Sequence, residues 1–265
     1  MTHSTGEGLQ HSPPSRNKQG QTALWQSVRS VVHAQRQAPP LRKMLRTAPP
    51  PLSFAQERIH LLQQLEPENT AYNRSLIRRL KGPLNIAALE QSLQEILRRH
   101  EVLRTTLPAQ ELLPVPPEQI PVTDCRSFPE PAAEARRLVG EEMNRPFDLG
   151  TGPLLRTRLF RLERDDHVLF LGTHQVCCDD QSTGILLQEL TALYAAFAQG
   201  QPSPLPEPPV QYADYARWQR DWLQGEVLEE QLTFWREQLR PPVPRLNLSI
   251  SRHSRANSQS LNPPP

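Results

Sequence analysis

Apolar positions fall into helix-like and strand-like runs between roughly residues 52 and 239 and thin out on either side. Ser53-Phe54-Ala55-Gln56 reads as a capping box, in which the Ser hydroxyl and the Gln side chain satisfy free amides at a helix start. The helix it opens places Ile59, Leu62 and Leu65 on one face and ends before Pro67. Residues 72–81 read as a strand. Asn85 caps a second helix with Ile86, Leu89, Leu93, Ile96 and Leu97 on its buried stripe. That helix runs into Arg98-Arg99-His100, a basic run that complements the dipole at a helix C-terminus. A third helix is predicted over 132–143. Segments 154–162 and 167–175 read as strands, and the polar Glu163-Arg164-Asp165-Asp166 between them predicts a hairpin. The second of these strands is nearly continuous in apolar residues, which predicts a central position. Asp179-Asp180-Gln181-Ser182 opens a long helix that turns Ile185, Leu186, Leu190 and Tyr194 to the core and ends at Gly200. Two more helices follow a proline-rich link. One carries Tyr212, Tyr215, Trp218 and Trp222, read as core packing, and the other carries Leu228, Leu232, Trp235 and Leu239. Strands and helices are interspersed without strict βαβ alternation, which predicts an α+β fold.

Composition sharpens the boundaries. The 29 prolines concentrate in 1–51, 108–131, 202–209 and 241–265, so they mark connectors and tails. Residues 1–50 are rich in Gln, Ser, Arg and Pro and read as a disordered or weakly helical extension, with one short helical pattern over 22–37. The foldable body is 51–239. Residues 240–265 end in SRHSRANSQSLNPPP, which has no periodicity and reads as a disordered tail. With 30 basic and 28 acidic side chains the net charge is +2, so a nucleic-acid partner is not expected. The 3 cysteines form no disulfide framework, which points to a reducing compartment. No apolar run approaches the roughly 18 residues needed to span a bilayer. The expectation is a cytoplasmic chain with no membrane partner.

Candidate chemistry concentrates in His174-Gln175-Val176-Cys177-Cys178-Asp179-Asp180-Gln181-Ser182, at the end of the predicted central strand and the start of a helix. The spacing H-x-x-C-C-D matches no structural zinc pattern, so no metal site is predicted. Nothing near the two thiols in sequence would lower their pKa, so neither reads as a nucleophile. The 11 glycines are scattered and form no phosphate-cradling loop.

This segment resembles the HHxxxDG signature of nonribosomal peptide synthetase condensation domains, aligned as H-Q-x-x-x-D-D. His174 matches the first His, Gln175 replaces the second, Asp179 matches the Asp and Asp180 replaces the Gly. Five other landmarks resemble the family in the right order: PLSFAQERIHLLQQLEPENTAYN, RRHEVLRTTL, RPFDLGTGPLLRTRLF, STGILLQELTALYAAF and VQYADYARWQRDWL. The resemblance implies one subdomain of the chloramphenicol acetyltransferase type, a mixed sheet flanked by helices. In the family, two such subdomains face each other as a V and enclose a tunnel. Phosphopantetheine arms of two carrier domains enter it, and an amine attacks a carrier-bound aminoacyl or peptidyl thioester to form an amide. No cofactor is implied to bind directly.

The resemblance further implies that His174 is structural, that position 175 lies mid-tunnel where the family His positions the amine and accepts its proton, and that Arg104 and Asp179 form a buried salt bridge supporting the site. Gln175 departs from that pattern. Imidazole titrates near about 6.5 and a carboxamide does not titrate, though it still donates hydrogen bonds. Losing a general base typically costs about 10²–10⁴-fold. No second subdomain is legible after Leu239, and 107–124 looks short and proline-loaded. Three outcomes stay open: a condensation domain of low activity, a non-catalytic module that binds carriers, itself or a separate C-terminal half, and the product of a broken synthetase gene.

Overall fold

The computed structural model describes residues 38–45, 48–117 and 119–242. The helical pattern over 22–37 and the tail from residue 243 lie outside the described residues. Residues through Trp222 form one compact unit and those from Leu223 a second. In the first, the elements run α1 (Phe54–Leu65), β1 (Asn73–Lys81), α2 (Ile86–Arg99), a 3-10 turn (Glu101–Arg104), β2 (Val122–Asp124), α3 (Pro131–Met143), β3 (Leu155–Glu163), β4 (Asp166–His174), α4 (Asp180–Phe197) and α5 (Tyr212–Trp222). The second unit contains α6 (Gly225–Gln238), none of whose residues is buried.

The strands form one mixed sheet in the order β1-β4-β3-β2. β4 lies inside it and pairs antiparallel with β1 and β3, as its continuous apolar run predicts. β3 and β4 join through the expected hairpin, with Glu163 opposite Asp166. Arg79 of β1 holds the Asp166 carboxylate at 2.5 Å, fastening the hairpin end to the edge strand. The parallel pairing of β2 with β3 was hidden in the sequence, because three residues among prolines show no periodicity.

Period-two alternation divides the sheet into two faces. Leu155 and Leu159 of β3 and Leu169 and Leu171 of β4 pack against Leu89, Leu93, Ile96 and Leu97 of α2 and Leu186, Leu190 and Leu193 of α4. On the other face Phe160, Leu162 and Phe170 meet Ala135 and Val139 of α3. A third apolar cluster, with Ile59, Phe147, Leu149, Leu154 and Val176, lies beyond the C-terminal end of β4. The fold is therefore α+β, with helices on both faces of a mixed sheet.

The helix starts follow the residues that predict them. Ser53 and Gln56 form both halves of the capping box, and Asn85 accepts the Ala88 amide. Two apolar assignments differ. Leu65 is exposed and α1 is buried through Gln56 and Ile59, while Ile185 is half exposed because the buried stripe of α4 is Leu186, Leu190 and Leu193. That stripe is spaced i, i+4, i+7, which leaves Ile185 off its edge.

The aromatic residues of α5 form a ladder more than a core stripe. Tyr212, Tyr215, Trp218 and Trp222 succeed one another with ring centroids 5.2–5.8 Å apart, each half-buried. Their polar tips, with neighbouring side chains, fasten the segment before α1. Trp218 donates to the Pro39 carbonyl, Tyr212 shares a hydrogen bond with Ser53, and buried Asp214 accepts from the Met44 amide. Arg220 donates to the Leu52 carbonyl and lies over the Phe54 ring. None of the described helices is long and apolar enough to cross a membrane.

Candidate functional site

The site is built where β4 ends and α4 begins. His174 closes β4, and its side chain is 1% exposed. The Val176 amide donates to its Nδ1 at 3.3 Å, which leaves the proton on Nε2. Nε2 is buried without a hydrogen-bond partner among the described residues. The rings of Tyr72 and Phe147 flank it, with centroids 6.2 and 6.0 Å away. Burial, helped by the nearby Arg156 guanidinium, pushes the imidazole down to about 4. His174 is thus a neutral packing element at ordinary pH.

Arg156 is the unexpected neighbour. It lies 3.8 Å over the Phe147 ring and donates to the carbonyls of Glu142, Arg145 and Pro146. It draws the end of α3 and the following loop against the same ring that flanks His174. Gly152 shapes the next turn of this loop. Its φ is +52°, a conformation that favours glycine, and a Cβ there would meet Leu113 Cδ1 at 2.9 Å, so a larger residue would be strained and would displace that side chain.

Gln175 is half-buried, and its backbone amide donates to the Tyr72 carbonyl at 2.8 Å, which continues the β1–β4 pairing by one residue. Its side chain meets Arg74 of β1, whose Nη2 donates to Oε1 at 3.3 Å. The other arm of Arg74 donates to Asp180 at 3.2 Å. One guanidinium therefore spans the two positions at which the signature departs from the family pattern. Arg74 could be found only through strand pairing, since it is 101 residues from Gln175 in the chain.

Asp179 and Arg104 do not meet. Asp179 is exposed and caps α4, accepting the Ser182 amide at 2.8 Å and the Ser182 hydroxyl at 2.6 Å. Those bonds hold its carboxyl below the usual carboxylate range. Arg104 instead donates to the backbone carbonyls of Leu97 and Leu113, tying the end of α2 to the loop before β2. The expected buried salt bridge is therefore corrected: helix capping uses the carboxylate locally, and unpaired carbonyls at a helix C-terminus claim the guanidinium. The pattern Asp179-x-x-Ser182 carried that signal.

Cys177 and Cys178 line a cavity of about 380 Å³ behind the segment, with Leu103, Leu186 and Tyr212 among its walls. Burial pushes the Cys177 thiol up to about 12, so it stays protonated and is no nucleophile at neutral pH. The basic run at the end of α2 does more than complement a dipole. Arg99 and His100 both reach Glu189 of α4, at 3.2 and 2.7 Å, and Arg98 pairs with Glu95 and Glu207.

The family model described as "Condensation domain" matches residues 48–262. The chain belongs to the condensation-domain family. It is 47% identical over 206 residues to a linear gramicidin synthase of Brevibacillus parabrevis, a match covering 75% of this chain and 4% of that protein. It is 44% identical over 214 residues to phosphinothricin tripeptide synthetase PhsC of Streptomyces viridochromogenes, covering 77% of this chain and 20% of that one. The curated relatives are thus much longer than the condensation domain they share with it. Among solved structures, the X-domain in its complex with OxyB from teicoplanin biosynthesis is 30% identical, with a TM-score of 0.71. That alignment covers 83% of this chain and 50% of the other. The starter condensation domain of rhizomide synthetase RzmA, 20% identical with a TM-score of 0.64, shares the fold, with 72% of this chain and 48% of that chain aligned.

Proposed function

We propose that this condensation domain receives acyl thioesters carried on the phosphopantetheine of carrier domains, and that it contributes to amide formation without a general base. The observation that carries the reading is Gln175. It occupies the second signature position, one residue past the end of the central strand, with its carboxamide oxygen held by Arg74. A carboxamide can orient a substrate and donate a hydrogen bond, but it cannot take the proton that an attacking amine must lose. His174 does not substitute for it, because it is enclosed and its pKa of about 4 makes it a weak proton acceptor. The test mixes the full chain with one acyl-loaded and one aminoacyl-loaded carrier domain and follows the amide product by mass spectrometry. Turnover is expected to rise at least tenfold in Gln175→His, toward the roughly 10²–10⁴-fold that general bases supply. Equal turnover of the two proteins would overturn the assignment of position 175.

A second reading is a non-catalytic module that engages a partner protein. It is favoured by the likeness to the teicoplanin X-domain, which was solved in complex with OxyB. Under it, the chain holds loaded carriers or another protein, and Gln175→His creates no turnover while carrier binding persists. Light scattering on the chain alone and with carrier separates these partners from self-association.

A further inference from the structure

The chemistry of Arg74 decides which way Gln175 faces. A guanidinium carries N–H donors only and keeps its charge at any physiological pH. The group it meets at 3.3 Å must therefore be the carboxamide oxygen, because the opposite flip would set one N–H₂ against another. Asp180 fixes the guanidinium in turn, at 3.2 Å. Nε2 of Gln175 is left turned away from Arg74, and no hydrogen bond engages it among the described residues. The free function offered at this position is a donor. A carboxylate there would offer only acceptors, and a neutral imidazole could offer either.

We infer that Gln175 donates from Nε2 to the carbonyl oxygen of a carrier-bound acyl thioester, and that Arg74 is the positioning residue that fixes the carboxamide in this orientation. The inference rests on the reading that an acyl thioester reaches this site. It assigns the site's ligand chemistry to the electrophile: the thioester carbonyl is held and polarised, and the amine is left to other groups. Asp180 acts at one remove, by holding Arg74 against the strand end. The replacement of Gly by Asp and of His by Gln is then one device, since each new side chain answers the same guanidinium.

The test compares two ligands on the full chain: an acyl-pantetheine thioester with a ¹³C-labelled carbonyl, and the matching thioether with CH₂ in place of C=O. Calorimetry gives the affinities, and the bound carbonyl stretch reports the hydrogen bond directly. The wild type is expected to bind the thioester roughly fivefold more tightly than the thioether, the worth of one net hydrogen bond, with the stretch shifted to lower frequency. Gln175→Glu keeps the shape and the Arg74 contact but removes the donor, so it should erase both the preference and the shift. Arg74→Ala frees the carboxamide to turn and should bring the preference below about twofold, with partial rescue in Arg74→Lys. Unchanged thioether affinity in each variant verifies the fold. Equal wild-type affinity for both ligands, or a preference that survives Gln175→Glu, would overturn the donor role while leaving thioester binding intact. If neither ligand binds at millimolar concentration, the reading of the site itself fails, and this inference with it.

Discussion

α4 meets a guanidinium at two places, and the surroundings of the two differ sharply. At mid-helix, Arg99 from α2 pairs with Glu189, and their side chains are 4% and 17% exposed. At the first turn, Arg74 from β1 pairs with Asp180, and there the values are 36% and 89%. The inner cluster recruits His100 as well, and Gln211 closes it by donating to the Arg99 carbonyl. The outer cluster ends in a carboxamide whose N–H₂ has no hydrogen bond among the described residues. Charge pairs of the same chemistry thus serve different ends. The enclosed one fixes how α2 and α4 pack, and the exposed one links β1 to the start of α4.

Breaking the inner cluster should have the largest effect. Glu189→Ala leaves the Arg99 charge buried without its partner, and urea denaturation is expected to show a loss of roughly 3–5 kcal/mol. The double substitution Arg99→Met with Glu189→Leu should recover much of that loss, because an apolar pair needs no compensation. A double variant as unstable as Glu189→Ala would mean that the cluster is held by packing of the guanidinium stem and not by charge.

Acid sharpens the contrast between His174 and its neighbour. The folded protein holds His174 neutral down to about 4, whereas the unfolded chain takes up a proton near about 6.5. The unfolded state therefore binds more protons between these values, and stability falls as the pH drops from about 6.5 to about 4. At about 1.4 kcal/mol per pH unit, the contribution of this residue reaches roughly 3 kcal/mol. Glu189 adds to the loss at lower pH. Burial would raise its pKa, but the Arg99 and His100 hydrogen bonds outweigh it and hold the carboxyl below its ordinary range. Histidine C–H resonances followed by NMR should show no inflection for His174 above pH 5, and an ordinary midpoint would show that water reaches the ring. Gln175, one residue on, has nothing to titrate.

The smallest change is expected at the open cluster. Asp180→Ala removes an exposed ion pair worth about 0–1 kcal/mol, so the denaturation midpoint should barely move. A loss above about 2 kcal/mol would place the Arg74 cluster with the structural pairs and erase the distinction.

Much of the frame was legible because its signals are local. Capping by Ser53, Gln56 and Asn85 needs only three or four residues, and so does the polar turn between β3 and β4. The hydrophobic stripe of α2 appeared where the period predicts it, with Leu89, Leu93, Ile96 and Leu97 buried. The candidate site was legible as a segment and not as a set of contacts. Arg104 resembled the partner of Asp179 by landmark, but each is satisfied by nearer backbone or side-chain groups. Arg74 carried no landmark at all. It became a neighbour of Gln175 only because Asn73 pairs with His174 in the antiparallel register of β1 and β4.

By itself the sequence determined the family resemblance, the longer helices and strands, and the presence of a side chain at position 175 that does not titrate, since residue type and short-range spacing suffice for all three. The tertiary structure decided that His174 is sealed among aromatic rings and that Arg74 of β1 meets the Gln175 carboxamide. These depend on which distant strands lie side by side. A hydrogen bond acts only over about 3 Å, whereas the chain separation between its partners here exceeds a hundred residues.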